Sequence, residues 1–365
     1  MKKLGFGLMR LPKTGEGEAA QIDFETVCTM VDRFLEQGFT YFDTAYMYMD
    51  YESENVFRRA VVERHPRESF TVADKMPTMF LKTREDLPRL FQEQQKKCGV
   101  DYFDYYLLHC LDTKHYKTAQ ELDAFAFVSE MKRQGKVRQM GFSFHDTADV
   151  LDRILTDHPE VDFVQLQINY LDWDSETIQS RLCYETAVRH GKPVIVMEPV
   201  KGGSLAKVPP EAELLLRHAD ANASPSSWAI RFAAGLDQVM MVLSGMSTVE
   251  QLEDNIGYMK EFRPLNKEEQ KLVGQVKDII QASIAIPCTG CEYCTEGCPM
   301  QIPIPRHFAR YNEYKKAPEQ GLKLDETGGM PGDCIGCGQC EGACPQHLPI
   351  ISLLEQVAQA AEGAR

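Results

Sequence analysis

Four side chains of complementary chemistry follow strand-like segments in the first third of the chain. Asp43 and Tyr48 follow one short apolar segment, and Lys75 and His109 end the next two. A buried carboxylate needs a cation nearby, because an isolated charge in a protein interior is costly. If the strands are parallel, their carboxyl ends bring a carboxylate, a phenol, an ammonium and an imidazole to one rim. Such a set can deliver a proton to a carbonyl oxygen.

Strand-like segments alternate with helix-like segments from residue 4 to about residue 258. Each candidate strand is a short apolar run, as expected of strands buried on both faces. Eight strands, each followed by a helix, predict a closed (β/α)8 TIM barrel. A doubly wound sheet would need a glycine-rich nucleotide turn, and Gly5-Phe6-Gly7 lacks a third glycine. The candidate strands are 4–9, 39–45, 70–75, 103–109, 138–143, 163–168, 194–199 and 239–244.

Eight of the twelve cysteines form two copies of one motif near the C-terminus. The motif Cys-x2-Cys-x2-Cys-x3-Cys-Pro has the spacing of bacterial ferredoxins with two [4Fe–4S] clusters. A pair of zinc sites is the alternative, but it leaves the doubled x2 spacing and the proline unexplained. The remaining cysteines, 28, 98, 110 and 183, lie in apolar segments and are predicted to be buried thiols.

In the matching ferredoxin pattern, the fourth cysteine of each motif serves the other cluster. A break in composition at Ile286-Pro287 follows a predicted helix over 266–283. We therefore expect a barrel plus linking helix over 1–284 and a ferredoxin-like domain with a C-terminal helix over 285–365. The expected ligand sets are Cys288, Cys291, Cys294 and Cys344 for the first cluster, and Cys334, Cys337, Cys340 and Cys298 for the second.

Composition narrows the class of protein. A net charge of −14 argues against non-specific binding to nucleic acids or attraction to anionic membranes. The first residues lack the apolar core of a signal peptide, and no run of 18 apolar residues predicts a membrane span. Cysteines grouped for metal binding fit a reducing compartment. We therefore expect a cytoplasmic protein with no membrane or nucleic-acid partner.

The whole chain resembles the aldo-keto reductases, and in particular their iron–sulfur-containing bacterial branch. That resemblance implies a nicotinamide dinucleotide cofactor and hydride transfer between a small-molecule carbonyl and its alcohol. It implies that Tyr48 is the general acid, that Lys75 lowers its pKa, that Asp43 pairs with Lys75, and that His109 binds the substrate carbonyl. The resemblance rests on Leu4–Pro12, Asp43-Thr44-Ala45 with Tyr48, Ser53-Glu54, Lys75, Leu107-Leu108-His109, Gly141-Phe142-Ser143, Gln167, Gly202-Gly203 and Asp254-Asn255.

By the same resemblance, two groups of residues would bind the cofactor. Ser143 and Gln167 would hold the nicotinamide carboxamide, and Met197 stands where an aromatic ring usually stacks on the nicotinamide. The phosphate-binding positions are Gly202, Gly203, Ser244, Gly245, Ser247, Gln251, Asp254 and Asn255. Gln251 replaces the arginine that often binds the 2′-phosphate, and a neutral amide cannot neutralise a phosphate dianion. NADP and NAD therefore both stay open as cofactors.

The clusters leave two functional classes to compare. In the first, the protein is an NAD(P)(H)-dependent oxidoreductase, and its two clusters are structural or pass electrons to a partner protein. In the second, it is an electron-transfer or redox-sensing iron–sulfur protein on a catalytically silent barrel. The intact set Asp43, Tyr48, Lys75 and His109 favours the enzyme.

Overall fold

The computed structural model describes residues 2–15 and 20–363. Eight parallel strands form a closed barrel in the order β1-β10-β9-β8-β7-β6-β5-β4, and β1 pairs with β4 to close it. The predicted (β/α)8 barrel is therefore confirmed. Its strands are β1 Leu4–Gly7, β4 Tyr41–Asp43, β5 Thr71–Met76, β6 Phe103–Leu111, β7 Val137–Phe144, β8 Phe163–Gln167, β9 Val194–Met197 and β10 Val239–Gly245.

A short hairpin that the sequence pattern did not predict follows β1. Its strands, β2 Lys13–Thr14 and β3 Gln21–Ile22, pair antiparallel outside the barrel. Strands of two residues carry too little periodicity to be recognised. Among the described residues, no helix is long and apolar enough to cross a membrane.

Helices connect the strands, and their caps and apolar faces explain where they form. Asp23 caps the first helix by accepting a hydrogen bond from the Thr26 amide at 3.1 Å, and Val27 and Phe34 lie on its buried face. The helices of the first 260 residues are α1 Phe24–Glu36, α2 Ser53–Phe57, α3 Asp86–Cys98, α4 Thr113–Glu121, α5 Ala124–Arg133, α6 Ala148–Asp157, α7 Ser180–Arg189, α8 Pro210–Ala219, α9 Pro225–Ala234 and α10 Val249–Lys260. A π-helical turn, Arg58–Val62, extends α2.

Side chains fill the interior of the barrel. Gly141 is required there, because a Cβ atom at this position would lie 2.6 Å from the Phe163 ring. Because Gly141 has no Cβ, the Phe163 ring packs against its backbone, and the interior is a packed core below the rim. The interior cluster comprises Tyr41, Ala73, Tyr105, Leu107, Phe163, Ile195, Met241 and Leu243.

The C-terminal region is short helices joined by glycine- and proline-rich loops. The predicted helix over 266–283 is confirmed as α11, Lys267–Ser283, and it is followed by α12 Ile304–Lys316, α13 Gln339–Ala343 and α14 Ile350–Gly363. Cys294 and Cys340 pack with Phe308, Tyr311 and Leu354 in a separate apolar core.

Contacts divide the chain into two compact units. The first unit comprises 1–174, 179–199 and 226–266, and the second comprises 175–178, 200–225 and 267–365. The segment 200–225, which follows β9, thus belongs with the cysteine-rich region. The boundary predicted between residues 284 and 285 stays a prediction.

Candidate active site and cysteine cavities

A buried ion pair lies at the carboxyl ends of β4 and β5. The Lys75 ammonium donates to Asp43 Oδ1 at 2.5 Å and to the Thr44 carbonyl oxygen at 2.6 Å. The Lys75 side chain is fully buried and that of Asp43 is 3% exposed. Register explains the meeting, because Asp43 pairs with Ala73 on β5, two residues before Lys75. Asp43 on β4 and Lys75 on β5 both face the interior at the rim of the barrel, as the alternation of side chains along each strand requires.

Tyr48 and His109 complete the group that the sequence predicted at one rim. The Lys75 ammonium lies 4.8 Å from the centre of the Tyr48 ring, and the Tyr48 and His109 ring centres are 5.9 Å apart. Both Tyr48 and His109 are buried. The structure thus brings together all four predicted side chains.

Burial changes the protonation of the group more than the sequence suggested. Burial raises the pKa of Tyr48 to about 12, although the Lys75 charge and hydrogen bond act in the opposite direction. Lys75 therefore lowers the pKa of Tyr48, as expected, but burial outweighs it, and the net pKa lies above that of a free phenol. A phenolate loses its hydration on burial, and one nearby ammonium does not offset that cost.

The other members of the group have pKa values set by the same competition. Burial lowers the pKa of His109 well below its ordinary range, and the Lys75 charge adds to this effect, so the imidazole is neutral near pH 7. Burial alone would lower the pKa of Lys75, but Asp43 and Tyr48 outweigh it and hold that pKa above its ordinary value. Burial raises the pKa of Asp43 against the pull of Lys75.

A bulge in β6 aims His109. Leu108 pairs with Phe142 and Leu111 with Phe144, so β6 contains one residue more than β7 between these pairs. Cys110 takes up the extra length with a φ of 56°, and its amide donates to the Ser143 hydroxyl at 2.8 Å. Bulges often redirect a side chain next to an active site.

A second layer of polar residues fixes the backbone of Lys75 from outside the barrel. The Gln94 amide on α3 donates to the Lys75 carbonyl oxygen at 2.9 Å and to Glu54 Oε1 at 3.0 Å. Glu54 also pairs with Lys97 at 2.8 Å, and Asp74 accepts from the Lys75 amide at 2.8 Å. Sequence reasoning gave Glu54 no role and did not single out Gln94. A polar residue on the buried face of α3 was the available signal.

Tyr46 and Tyr51, which are close to Tyr48 in the sequence, make different contacts. The Tyr46 hydroxyl donates to Glu93 Oε1 at 3.1 Å, and the Lys97 ammonium lies over its ring. Tyr51 stacks edge-on against Tyr46 and is partly exposed. Among these three phenols, Tyr48 is the one in contact with the Lys75 charge.

Three residues at successive strand ends carry groups that suit a carboxamide and an aromatic ring. Ser143 is the penultimate residue of β7, Gln167 ends β8, and Met197 ends β9 in register with Gln167. Gln167 Nε2 donates to Asp172 Oδ2 at 3.0 Å, which fixes its orientation. Ser143 and Gln167 are buried, and Met197 is partly exposed.

The loop after β10 is ordered by the start of α10. Ser247 donates through its amide to Gln251 Oε1 at 2.7 Å, and the Asn255 amide donates to the Ser244 hydroxyl at 2.7 Å. Asn255 is buried on α10, whereas its neighbour Asp254 is half-buried. The oxygen of Gln251 is thus engaged within the loop.

Arg10 lies against the loop after β10. The sequence pattern did not single out Arg10 for this contact. The Ser247 hydroxyl donates to the Arg10 carbonyl oxygen at 2.8 Å, and a Cβ atom at Gly245 would lie 3.3 Å from Arg10 Cβ. Arg10 follows β1, and β1 pairs with β10, so the two loops share one rim. Closure of the barrel between the first and last strands was the available signal.

Gly202 and Gly203 lie in the second unit and have different surroundings. A Cβ atom at Gly202, where φ is +61°, would lie 2.3 Å from the Thr289 carbonyl oxygen. At Gly203, where φ is +98°, such an atom would have open space. Gly202 is therefore needed for the close approach to Thr289, whereas Gly203 faces open space.

The eight motif cysteines surround two cavities in the crossed arrangement that the ferredoxin pattern predicts. The first cavity is about 310 Å³ and the second about 320 Å³. Cys288, Cys291, Cys294 and Cys344 line the first, and Cys298, Cys334, Cys337 and Cys340 line the second. The Gly290 amide also lies 3.4 Å from the Cys288 sulfur, as a donor to a thiolate would.

The spacing of the sulfurs is wider than a single tetrahedral zinc ion requires. Zn–S bonds of about 2.3 Å in a tetrahedron would place sulfurs about 3.8 Å apart. Within the described part of the chain, no three of these sulfurs lie within 4.8 Å of one another. The cavities therefore suit a larger group than one zinc ion.

Both the barrel and the cysteine-rich region match known protein families. Residues 3–278 match the aldo/keto reductase family, and residues 287–348 match the 4Fe-4S dicluster domain. An uncharacterised oxidoreductase of Schizosaccharomyces pombe is 26% identical over 264 residues, covering 70% of this chain and 81% of that protein. L-galactose dehydrogenase of Arabidopsis thaliana is 25% identical over 299 residues, covering 76% and 90%.

Solved structures show the same fold. The holo form of an aldo-keto reductase from Bacillus halodurans superposes with a TM-score of 0.61 at 21% identity, covering 75% of this chain and 91% of that one. An aldo-keto reductase from Klebsiella pneumoniae, solved in complex with NADPH, gives a TM-score of 0.59 at 18% identity, covering 75% and 90%. Together with the matched family model, these findings show that the chain belongs to the aldo/keto reductase family of oxidoreductases and continues into a C-terminal 4Fe-4S dicluster domain.

Proposed function

We propose that this protein interconverts a small-molecule carbonyl and its alcohol by hydride transfer, with NADP or NAD as cofactor and Tyr48 as the proton donor in reduction. The observation that carries the proposal is the buried Lys75–Asp43 pair beside Tyr48 and His109. A buried ion pair is costly to maintain, so its position at the rim next to a phenol and an imidazole points to chemistry there.

Each member of the group has one task in the reduction. Tyr48 is protonated at neutral pH, because burial raises its pKa to about 12, so the proton is available. Lys75, kept charged by Asp43, stabilises the phenolate that forms when Tyr48 gives up this proton. Neutral His109 donates a hydrogen bond to the carbonyl oxygen as negative charge develops on it. When bound, the cofactor supplies the hydride.

The residues present suit a nicotinamide cofactor. Ser143 and Gln167 offer a hydroxyl and an amide for the carboxamide, and the Met197 thioether offers polarisable contact for the ring. Gly203, Ser244, Gly245 and Ser247 lie in the loops that would receive the phosphates. Gln251 is neutral, but the aliphatic part of the Arg10 side chain lies against Gly245 of the same loop, which makes Arg10 the candidate cation. The Klebsiella relative with NADPH supports NADP as one of the two cofactors.

The cysteine cavities support two [4Fe–4S] clusters, held by the crossed sets that line them. Direct hydride transfer to a carbonyl uses no one-electron carrier, so the clusters serve structure, or exchange electrons with a partner protein. A cytoplasmic location belongs to the same proposal.

The test is NAD(P)H-dependent turnover of a carbonyl panel by anaerobically purified protein. Tyr48→Phe keeps the ring and removes the hydroxyl, so we expect reduction to fall by at least ~10²-fold while cofactor binding survives. Tyr46→Phe is the matched control and should be mild, because its hydroxyl contacts Glu93. Normal turnover in Tyr48→Phe would refute the assignment. If wild type reduces none of the panel but its clusters can be reduced, the electron-transfer function would be favoured instead.

A further inference from the structure

The turn Lys201–Gly203, which follows β9, packs onto the cysteine-rich segment within the second unit. Lys201 is 3% exposed, and its ammonium donates to Gln346 Oε1 at 3.1 Å. Gly202 lies so close to Thr289 that no side chain fits between them. The turn is therefore attached at two neighbouring points, one through a hydrogen bond from the ammonium and one through close packing.

Both attachment points belong to the wall of the first cysteine cavity. Thr289 and Gln346 line that cavity together with Cys288 and Cys344. Thr289 directly follows Cys288, and Gln346 comes two residues after Cys344. A group that fixes Cys288 and Cys344 therefore also restrains Thr289, which packs against Gly202, and Gln346, which accepts from Lys201.

The second cysteine motif provides an internal comparison. Ile335 follows Cys334 as Thr289 follows Cys288, and Met300 follows Cys298 at the spacing that separates Gln346 from Cys344. Ile335 and Met300 line the second cavity but are 64% and 38% exposed. Thr289 and Gln346 are 4% and 6% exposed. The repeated motif carries buried polar residues only on the side that contacts the turn, as a buried ammonium requires.

We propose that the first cluster, when bound, holds the Lys201–Gly203 turn in the conformation that receives the cofactor, and that Gln346 is the positioning residue of this link. This inference rests on the proposed function, because it assigns the turn to cofactor binding. Four cysteines bonded to one cluster fix the loops that carry Thr289 and Gln346. Without that bonding, the cavity of about 310 Å³ can change shape, and Lys201 loses a fixed acceptor.

Replacing Gln346 tests the link without touching a cysteine. Gln346→Leu removes the acceptor, and Met300→Leu is the matched control at the equivalent position of the other motif. Both variants should keep the iron content of wild type. We expect Gln346→Leu to bind NADPH and NADH about tenfold or more weakly and Met300→Leu to bind them as wild type does, with affinities measured by fluorescence titration.

Hydrogen exchange without nucleotide gives a second, independent readout. The amides of Ser204, Leu205 and Ala206 are bonded within the turn. They should exchange faster in Gln346→Leu, and in wild type stripped of iron, than in loaded wild type. Unchanged exchange in both samples would overturn the link, whatever the affinity.

A double variant decides whether Lys201 acts through Gln346. If it does, adding Gln346→Leu to Lys201→Met weakens cofactor binding no further than Lys201→Met alone. Additive losses would show that the two residues act separately and would overturn the inference. If wild type binds no nicotinamide nucleotide, the proposed function is wrong, and hydrogen exchange alone decides whether the cluster holds the turn.

Discussion

Replacing Lys75 with methionine should make the stability of the barrel fall with rising pH more steeply than that of wild type. In wild type, the Asp43 side chain is 3% exposed, and its Oδ1 atom lies 2.5 Å from the Lys75 ammonium nitrogen. Lys75→Met removes that cation and leaves a carboxyl group in the same buried position. Burial already raises the pKa of Asp43, and Lys75 is what opposes the rise. In the variant, Asp43 should therefore become protonated in the folded protein.

The change in the free energy of unfolding follows from the difference between the folded and unfolded pKa values of Asp43. The folded pKa of Asp43 then lies above its unfolded value of about 3.9, so stability is highest below that value and falls as pH rises. Between these two pKa values each pH unit costs about 1.4 kcal/mol, so two pH units within that range lower the stability of the variant by about 3 kcal/mol. A loss of this size agrees with the roughly 3–5 kcal/mol that breaking a buried ion pair usually costs.

Urea unfolding followed by tryptophan fluorescence measures this loss, because both tryptophans, Trp173 and Trp228, lie in the first unit. Lys75→Met with Asp43→Asn is the control, since it has no carboxyl to protonate and its deficit should not change between pH 6 and pH 8. The double variant should stay inactive, because Tyr48 still lacks its neighbouring cation. An equal loss at both pH values in the single variant, or the same slope in both variants, would refute the reasoning.

Four further predictions concern the histidine, the cofactor and the clusters. Burial holds the pKa of His109 well below its ordinary range. The value of kcat/KM for reduction should therefore show no titration of an imidazole between pH 6 and pH 8. A step near pH 6.5 that is absent in His109→Gln would contradict this. Because Gln251 is neutral, binding titrations should show at most a modest preference for NADPH over NADH, and Arg10→Gln should abolish it. A hundredfold preference that survives Arg10→Gln would mean that another cation binds the 2′-phosphate. Metal analysis of anaerobic protein should find about eight irons per chain, and zinc in their place would end the cluster assignment. Cys298→Ser should disturb the spectrum of the cluster at Cys334, Cys337 and Cys340, and an effect confined to the other cluster would show that the ligand sets are not crossed.

The parts of the site that the sequence predicted are those that local pattern specifies. Parallel strands buried on both faces are apolar runs, so Asp43, Lys75 and His109 stood out as polar residues at their ends. Tyr48 was selected by its offset from Asp43 in the family motif. The structure places these four side chains together because the strands are neighbours in one barrel.

Other parts of the site depend on features that leave little local pattern. The bulge at Cys110 depends on the pairing of β6 with β7, which is a property of two strands and not of one. Arg10 reaches the loop after β10 only because the barrel closes. The raised pKa of Tyr48 depends on how much water the fold excludes, and no spacing of residues expresses that quantity.

By itself, the sequence determined the alternation of strands and helices, the three polar strand ends and the doubled cysteine motif, because each depends on residues that are close along the chain. The tertiary structure decided that Gly202 is used for packing against Thr289. It also decided that burial outweighs Lys75 in setting the pKa of Tyr48. These outcomes depend on contacts between distant segments and on the exclusion of water, and both arise only when the chain has folded.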